Sequence, residues 1–412
     1  MGTGVMASYL CGAHVGGGEV HAHQIARHLA RLGEDITFVA TSCPHPTTQH
    51  DWCPEPQEME RFEATCGYPI ERVHGASLGS GQWNSPSLVL GRLRFVWDLY
   101  RAVRRSRAEY IVANQSPSMV AACCLVAKAA RIPVVQTIHH VARDTGPGLN
   151  WRRRKWILHF ILRAANANVC VSRDTEADVT NFIPSKRVRT TVIPNAVDVD
   201  AVDAWREDAA RAGEAMSTLR ERAYPSGHRP VILTVARLIE YKGAQWVIGA
   251  MPRILAEYPD ARYVVAGDGP YRAELERTVK AVLPPGLQGA VTFLGTVSES
   301  EKFALYDACD VFAMPSAVEG FGLVFAEAGA FGKPVVGCDV MGTTEAVAHG
   351  ETGLLAPRAD ADAVGSAILR LLRDEKERAR MGENGRRRVE SMGSWRESAR
   401  QYLRLIGELK GA

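Results

Sequence analysis

The chain has 412 residues, 46% hydrophobic and 23% charged, which excludes a disordered, collagenous or coiled-coil protein. At roughly 150 residues per domain, that length points to two or three globular domains. Its 49 Lys and Arg against 46 Asp and Glu leave a net charge of +3, too even for a dedicated nucleic-acid binder unless the charge is segregated.

The segregation is mild. Residues 1–200 hold 22 basic and 17 acidic side chains and residues 201–412 hold 27 and 29, so attraction for an acidic ligand is expected mostly in the first half. Val5 to Leu10 reads as a strand, Gly16-Gly17-Gly18 as a glycine turn, and Val20, Ile25, Leu29 and Leu32 as the apolar face of a helix stopped by Gly33. Ile36 to Ala40 reads as the next strand, completing the opening of a parallel sheet with helices on its faces.

Residues 43–90 break this rhythm and are expected to form an irregular insertion. Within it, Cys43, His45, His50 and Cys53, followed by Cys66, could furnish thiolates and imidazoles for zinc. The Cys-x-His spacing is cramped and prolines interrupt the stretch, so a loop holding reduced thiols is favoured and no metal is expected. The nine cysteines are odd in number and scattered, which fits reduced thiols better than a disulfide framework.

Regular alternation resumes with a helix over Leu93 to Val103, a strand at Tyr110 to Ala113, a helix over Ser118 to Ala130, and a strand from Pro133 to Ile138 that ends in His139-His140. A basic helix, Trp151 to Ala165, and a strand, Ala167 to Val171, follow, with a boundary expected at Val192-Ile193-Pro194-Asn195. A second alternation starts at Val231 to Val235 and runs through strands at Arg262 to Ala266, Val291 to Phe293, Val311 to Met314 and Pro334 to Cys338. The expected domains are 1–195, 196–390 and a terminal amphipathic helix within 391–412.

Several clusters lie at strand ends, where ligands bind in open parallel sheets. Glu319-Gly320-Phe321-Gly322-Leu323-Val324-Phe325-Ala326-Glu327 places two carboxylates across a strand-to-helix transition. Gly320 and Gly322 permit close backbone approach, and the helix start offers N–H groups to an anion or to sugar hydroxyls. Arg237 and Lys242 follow a strand and read either as a diphosphate clamp or as ordinary surface cations. Gly267-Asp268-Gly269-Pro270 gives another close-approach turn, without the GxGxxG dinucleotide fingerprint. Gly16, Gly17 and Gly18 form either a phosphate-accepting helix start or a plain tight turn, and His139 either a hydrogen-bonding or an acid/base group.

Together these motifs resemble glycosyltransferase family 4, over nearly the whole length. The resemblance rests on Gly16-Gly17-Gly18-Glu19, Thr137-Ile138-His139, Val171-Ser172, Pro194-Asn195-Ala196-Val197-Asp198, Ala236-Arg237 with Lys242-Gly243, the Gly267 to Pro270 turn, Glu319 with Glu327, Gly342-Thr343-Thr344-Glu345, Gly350 to Leu355, and Trp395. Ala196, Ala236 and Met341 stand where the family commonly has glycine.

The resemblance implies two doubly wound, Rossmann-like α/β domains facing each other across a cleft, the GT-B fold. It also implies retaining, metal-independent transfer of a hexose or N-acetylhexosamine from a nucleotide-sugar co-substrate, with UDP preferred over GDP and no cofactor. By the same resemblance Arg237 and Lys242 neutralise the diphosphate, Glu327 binds ribose hydroxyls, Glu319 and the amides of Phe321 to Val324 contact the donor sugar, and His139 supports the transferred sugar. Asp198-Val199-Asp200 belongs to the interdomain segment, so no metal is assigned to it.

The first half carries two basic helices, Arg92 to Arg107 and Trp151 to Arg163, the second with Trp156, Ile157, Phe160 and Ile161 interleaved. Packing of their apolar faces on the sheet is favoured, with peripheral contact to an anionic membrane as the alternative. No charged leader precedes Arg27 and no apolar run reaches the length of a membrane span, so a cytoplasmic protein is expected, with a place at the inner membrane face as the alternative. A small polar acceptor (an aminocyclitol, an inositol or a specialised metabolite) is expected first, and a membrane lipid or cell-surface glycan second. A nucleotide-sugar epimerase and a non-catalytic sugar-nucleotide binder are the competing function classes, and nucleic acid is not an expected partner.

Overall fold

A computed structural model describes residues 2–8, 17–41, 66–73, 86–114, 117–140, 151–185, 187–208, 213–214, 216–217, 219, 222–223 and 230–411. The chain divides into two compact units, Met1–Asn195 with Trp395–Ala412, and Ala196–Ser394.

The first unit runs β1 (Thr3–Ser8), α1 (Gly17–Arg31), β2 (Asp35–Thr41), β3 (Ile70–Val73), α2 (Pro86–Arg105), β4 (Tyr110–Asn114), α3 (Pro117–Ala130), β5 (Val134–Ile138), α4 (Trp151–Ala164), β6 (Ala167–Cys170), α5 (Arg173–Phe182) and β7 (Thr190–Val192). Its seven strands are all parallel, in the order β3-β2-β1-β4-β5-β6-β7. β4 and β5 are buried at every position, the signature of strands covered on both faces, and both are mostly apolar, with Asn114, Gln136 and Thr137 as buried polar exceptions. Val5, Val39, Phe95, Leu99, Ile111, Met119 and Val120 form one core on one side of this sheet.

The expectation of a wholly irregular insertion over 43–90 is corrected. Ile70–Val73 pairs in parallel with β2 as an edge strand, and the helix expected from Leu93 begins at Pro86. The strand escapes periodicity because it is four residues long and carries Glu71 and Arg72, and charge is a common edge-strand device. An ion pair between Arg105 and Glu71 ties it to α2. Cys43, His45, His50 and Cys53 lie outside the described residues, and Cys66 is buried.

The second unit runs α6 (Val199–Glu207), β8 (Val231–Val235), α7 (Ala244–Glu257), β9 (Arg262–Ala266), α8 (Arg272–Val282), β10 (Val291–Gly295), α9 (Glu299–Ala308), β11 (Val311–Ala313), α10 (Leu323–Ala330), β12 (Val335–Cys338), α11 (Thr343–Ala346), β13 (Gly353–Ala356), α12 (Ala361–Arg373) and α13 (Glu375–Ser391). Its six strands are parallel, in the order β10-β9-β8-β11-β12-β13. Ile232, Val247, Met251, Ile254, Ile368 and Leu369 are fully buried here, and each such apolar side chain contributes about 1.5–3 kcal/mol through burial. The terminal helix α14 (Trp395–Lys410) belongs to the first unit, where Trp395, Tyr402, Leu405 and Ile406 are buried and Ser398 Oγ donates to the Pro194 carbonyl at 3.0 Å.

Both sheets share one winding: strand order runs outward from the unit's first strand, returns, and continues on the other side. The reversal falls between β1 and β4 in one sheet and between β8 and β11 in the other. A crevice forms beyond the carboxyl ends of strands at such a switch point.

Candidate active site

In the second unit, the loop after β8 carries Arg237, whose side chain is exposed, and ends in a single 3-10 turn, Glu240–Lys242. The loop after β11 carries Glu319. The Lys242 Nζ donates to Glu319 Oε1 at 2.5 Å, so the two loops flanking the switch point meet through an ion pair. Their backbones are joined as well. The Ala317 N–H donates to the Tyr241 carbonyl at 2.7 Å and Ser316 Oγ to the same carbonyl at 3.1 Å.

The Gly267–Gly269 loop after β9 joins this frame. The Leu238 N–H donates to the Asp268 carbonyl at 2.8 Å, and the Tyr271 N–H to the Leu238 carbonyl at 3.0 Å. Irregular backbone must satisfy its polar groups somewhere, and here neighbouring loops satisfy one another, which fixes Arg237, Lys242, Gly267, Gly269 and Glu319 on one support.

Two glycines are demanded by this geometry. Gly322, the N-cap of α10, sits at φ 74° in the left-handed region. Gly342 sits at φ 83°, and a Cβ there would lie 2.4 Å from the Glu319 carbonyl oxygen. Its hydrogen atom is what allows the Glu319 loop to close. Phe321 and Leu323 are buried and Val324 is half-buried, so the first-turn amides of α10, more than these side chains, are what the segment can offer a ligand.

Glu327 is the one charged residue of α10. Its Oε1 accepts from Lys302 Nζ at 3.0 Å and its Oε2 from the Tyr306 hydroxyl at 2.8 Å. Burial alone would lower the Lys302 pKa, but the Glu327 and Glu299 carboxylates outweigh it and the value is raised. Burial, then the Glu327 charge, pushes the Tyr306 phenol well above its usual range, so it remains a donor. Lys302 and Tyr306 escaped the sequence reading. The available signal was their i, i+4 spacing on the helix before β11.

In the first unit, Gly17 and Gly18 form the first turn of α1 itself, and Gly16 lies outside the described residues. Asn114, at the end of β4, donates from Nδ2 to the Gly18 carbonyl at 2.9 Å. A carbonyl only accepts, which fixes the amide and turns Oδ1 toward His139 Nε2, 2.7 Å away. His139 therefore donates from Nε2, and its Nδ1 is the acceptor of the neutral ring. Burial, with His21 and His140 adding to it, holds the His139 pKa well below the usual histidine value. The arrangement suits a neutral hydrogen-bonding group better than a proton store. His140 is exposed.

Behind His139 stands His21, whose ring centroid is 5.1 Å away in an edge-on arrangement. His21 Nδ1 bonds Asn195 Oδ1 at 2.7 Å and Nε2 bonds the Tyr402 hydroxyl at 3.1 Å, while that hydroxyl bonds Thr137 Oγ1 at 2.8 Å. Trp395 lies 5.5 Å from the His21 ring. Burial lowers the His21 pKa to about 4, against an opposing contribution from the Asn195 bond.

Asp198 is the N-cap of α6, accepting from the Ala201 N–H at 3.0 Å, a structural use of a residue that superficially offered a metal ligand. Among the described residues no group of three His, Cys, Asp or Glu side chains is arranged to hold a metal ion. No helix among them is long and apolar enough to cross a membrane.

The expected packing of the basic helices on the sheet is met only in part. Ile161 and Leu162 of α4 are buried, but Trp156 is 77% and Phe160 72% exposed, and on α2 Leu93 and Trp97 are 63% and 58% exposed. Each helix carries a second apolar stripe at i, i+4 that one sheet face cannot cover.

Two family models match the chain: one described as Glycosyltransferase Family 4 over residues 15–201, and one described as Glycosyl transferases group 1 over 217–388. The GDP-mannose-dependent alpha-(1-6)-phosphatidylinositol monomannoside mannosyltransferase of Mycobacterium tuberculosis is 36% identical over 210 residues, covering 49% of this chain and 52% of that protein. The chain thus spans about half the length of that relative. The enzyme of the same name from Mycolicibacterium smegmatis is 33% identical over 277 residues, covering 65% and 69%. A D-inositol 3-phosphate glycosyltransferase from Corynebacterium urealyticum is 34% identical, covering 59% and 57%. Among solved structures, Anabaena HepE in complex with UDP and glucose matches with a TM-score of 0.77 at 20% identity, covering 99% of this chain and 100% of that one.

Proposed function

The chain belongs to glycosyltransferase family 4, and on that premise we propose that it transfers a hexosyl group from a nucleoside-diphosphate sugar to a hydroxyl of an inositol-type polyol. The transfer retains anomeric configuration and uses no metal. The observation that carries this reading is the Lys242–Glu319 pair, held with Arg237 on mutually bonded loops at the switch point of the second sheet.

In this reading Lys242, with ammonium donors beyond the one given to Glu319, and Arg237 stabilise charge on the leaving diphosphate. Glu319 and the amides of Phe321 to Val324 hold the donor sugar, Gly267 and Gly269 admit the nucleotide closely, and Glu327 accepts from ribose hydroxyls. Gly17, Gly18 and His139 support the transferred sugar through neutral hydrogen bonds. The acceptor oxygen attacks the anomeric carbon on the face the diphosphate leaves, the carbon–oxygen bond to phosphate breaks, and the acceptor proton passes to the departing phosphate oxygen. Glycoside and nucleoside diphosphate are the products, and no protein nucleophile is used.

The sequence alone favoured a UDP-sugar. The mannosyltransferases above depend on GDP-mannose by name, which brings GDP-mannose to the head of the donor panel with UDP-sugars beside it. Their names also put inositol lipids and inositol phosphate among the acceptors, and both present an inositol ring bearing a phosphate.

A second reading places the acceptor in a membrane. The exposed Trp156 and Phe160 favour it, because aromatic and cationic side chains on one helix face suit an anionic bilayer.

The test is mass spectrometry of the protein with GDP-, UDP- and dTDP-sugars, scoring slow hydrolysis. Acceptor trials with inositol, inositol 3-phosphate and phosphatidylinositol vesicles follow, using the preferred donor. Transfer to an inositol-bearing acceptor with retained configuration supports the proposal. Epimerised sugar nucleotide without transfer would make the protein an epimerase, and tight binding without turnover of any donor would make it a binding protein.

A further inference from the structure

We propose that Lys302 and Tyr306 are positioning residues for the donor site, holding the Glu327 carboxylate in the one orientation that can accept both ribose hydroxyls of the nucleotide. This rests on the reading of Glu327 as the ribose-binding carboxylate.

Glu327 is only 17% exposed and sits on a helix whose other side chains are all uncharged. A carboxylate at such a place must be compensated or it becomes protonated. Both compensating donors come from α9, one turn apart, and they divide the carboxylate between them: Lys302 takes Oε1 and Tyr306 takes Oε2. With one donor on each oxygen, the group cannot rotate without losing both bonds. Each oxygen keeps lone-pair capacity for a second donor, which matches a vicinal diol.

The donors are themselves fixed. Tyr306 is fully buried and stacks on Phe331 at 5.7 Å with the rings 22° apart, and Lys302 Nζ lies 5.7 Å from the Phe303 ring centroid. α9 begins with a complete capping box, in which Ser298 and Glu301 satisfy each other's backbone N–H, so the helix presenting both donors is anchored at its start. An ammonium at this spot serves packing poorly and serves a carboxylate well.

The test compares GDP and UDP with their 2′,3′-dideoxy counterparts by titration calorimetry, in the parent chain and in Glu327→Ala, Lys302→Met, Lys302→Arg and Tyr306→Phe. The parent should prefer the ribonucleotide and Glu327→Ala should lose that preference. Lys302→Met should lose it too, by about tenfold in ribonucleotide affinity, the size of one charge-assisted hydrogen bond, with dideoxynucleotide affinity little changed. Lys302→Arg should restore much of it, and with the preferred donor the loss should appear in KM more than in kcat.

A merely structural lysine would weaken both nucleotide classes alike. That result, with Glu327→Ala losing the preference, overturns the positioning role and leaves the ribose reading intact. Retention of the preference by Glu327→Ala overturns the ribose reading and this proposal with it. Tyr306→Phe removes a single hydroxyl from an otherwise conserved ring, so the same comparison stands on it should Lys302→Met fail to fold.

Discussion

Lys242 and Glu319, 77 positions apart in sequence, meet at 2.5 Å where the strand order of the second sheet reverses. Lys242 closes a single 3-10 turn, and Glu319 is on neither a helix nor a strand. Each is delivered by a loop that leaves a strand flanking the reversal, and the loops are bonded to each other through Tyr241, Ser316 and Ala317. The Glu319 side chain is 8% exposed, so the contact joins a nearly buried carboxylate to an ammonium that retains donors for an anionic ligand.

Removing that ammonium should be costly for binding and chemistry alike. Lys242→Ala leaves the Glu319 charge uncompensated and repels an incoming diphosphate. We expect nucleoside-diphosphate affinity to fall about tenfold or more, and transfer by roughly 10²–10³-fold, as for other groups that stabilise transition-state charge. Calorimetry and initial rates measure both, and unchanged nucleotide affinity would sink the site assignment.

Gly342→Ala should perturb the donor site without touching a ligand. The added methyl would lie 2.4 Å from the Glu319 carbonyl oxygen, on a backbone at φ 83°. We expect a loss of about 1–3 kcal/mol in unfolding free energy from backbone strain, read from denaturant melts, together with a raised donor KM. Gly350→Ala, also at positive φ but with open space around its Cβ, serves as a control for the backbone cost alone.

Acid should weaken the first unit before ordinary carboxylate titration begins. His21 titrates at about 4 in the folded chain against 6.5 for the free side chain. Below pH 6.5 the unfolded chain therefore takes up a proton that the folded chain refuses, and stability falls as pH drops from about 6.5 toward 4. The gap amounts to roughly 3 kcal/mol at its limit, and burial of His23 and His139 adds in the same direction. Thermal melts of the parent between pH 7.5 and 4.5 should show this fall, and His21→Gln should flatten it. A His21→Gln curve parallel to the parent's would refute the assignment.

The exposed aromatic residues separate the two acceptor readings. If the acceptor lies in a bilayer, Trp156→Ser with Phe160→Ser should abolish co-sedimentation with phosphatidylinositol-rich vesicles while leaving hydrolysis of the soluble donor unchanged. Absence of vesicle binding by the parent chain removes the membrane reading.

The alternating units were legible in the sequence because parallel strands covered on both faces are mostly apolar, as Tyr110–Asn114 and Val231–Val235 are apart from Asn114 and Thr234. Glu319, Arg237, Lys242 and His139 stood out because charged or polar residues beyond the ends of such runs have no packing reason to be there, and Glu327 because it is the one charge in an otherwise uncharged helix. Ile70–Val73 was not legible, since a four-residue charged edge strand has too little periodicity to register.

By itself the sequence determined the family, the two α/β units and which loops carry charge, since these depend on local pattern and spacing. Only the tertiary structure decided what each charge faces. Lys242 answers Glu319, Lys302 and Tyr306 answer Glu327, and Asn114 sets the proton on His139. These partners lie 21 to 77 positions apart, and a pairing over that distance is fixed by the winding of the sheet, which no local window of sequence contains.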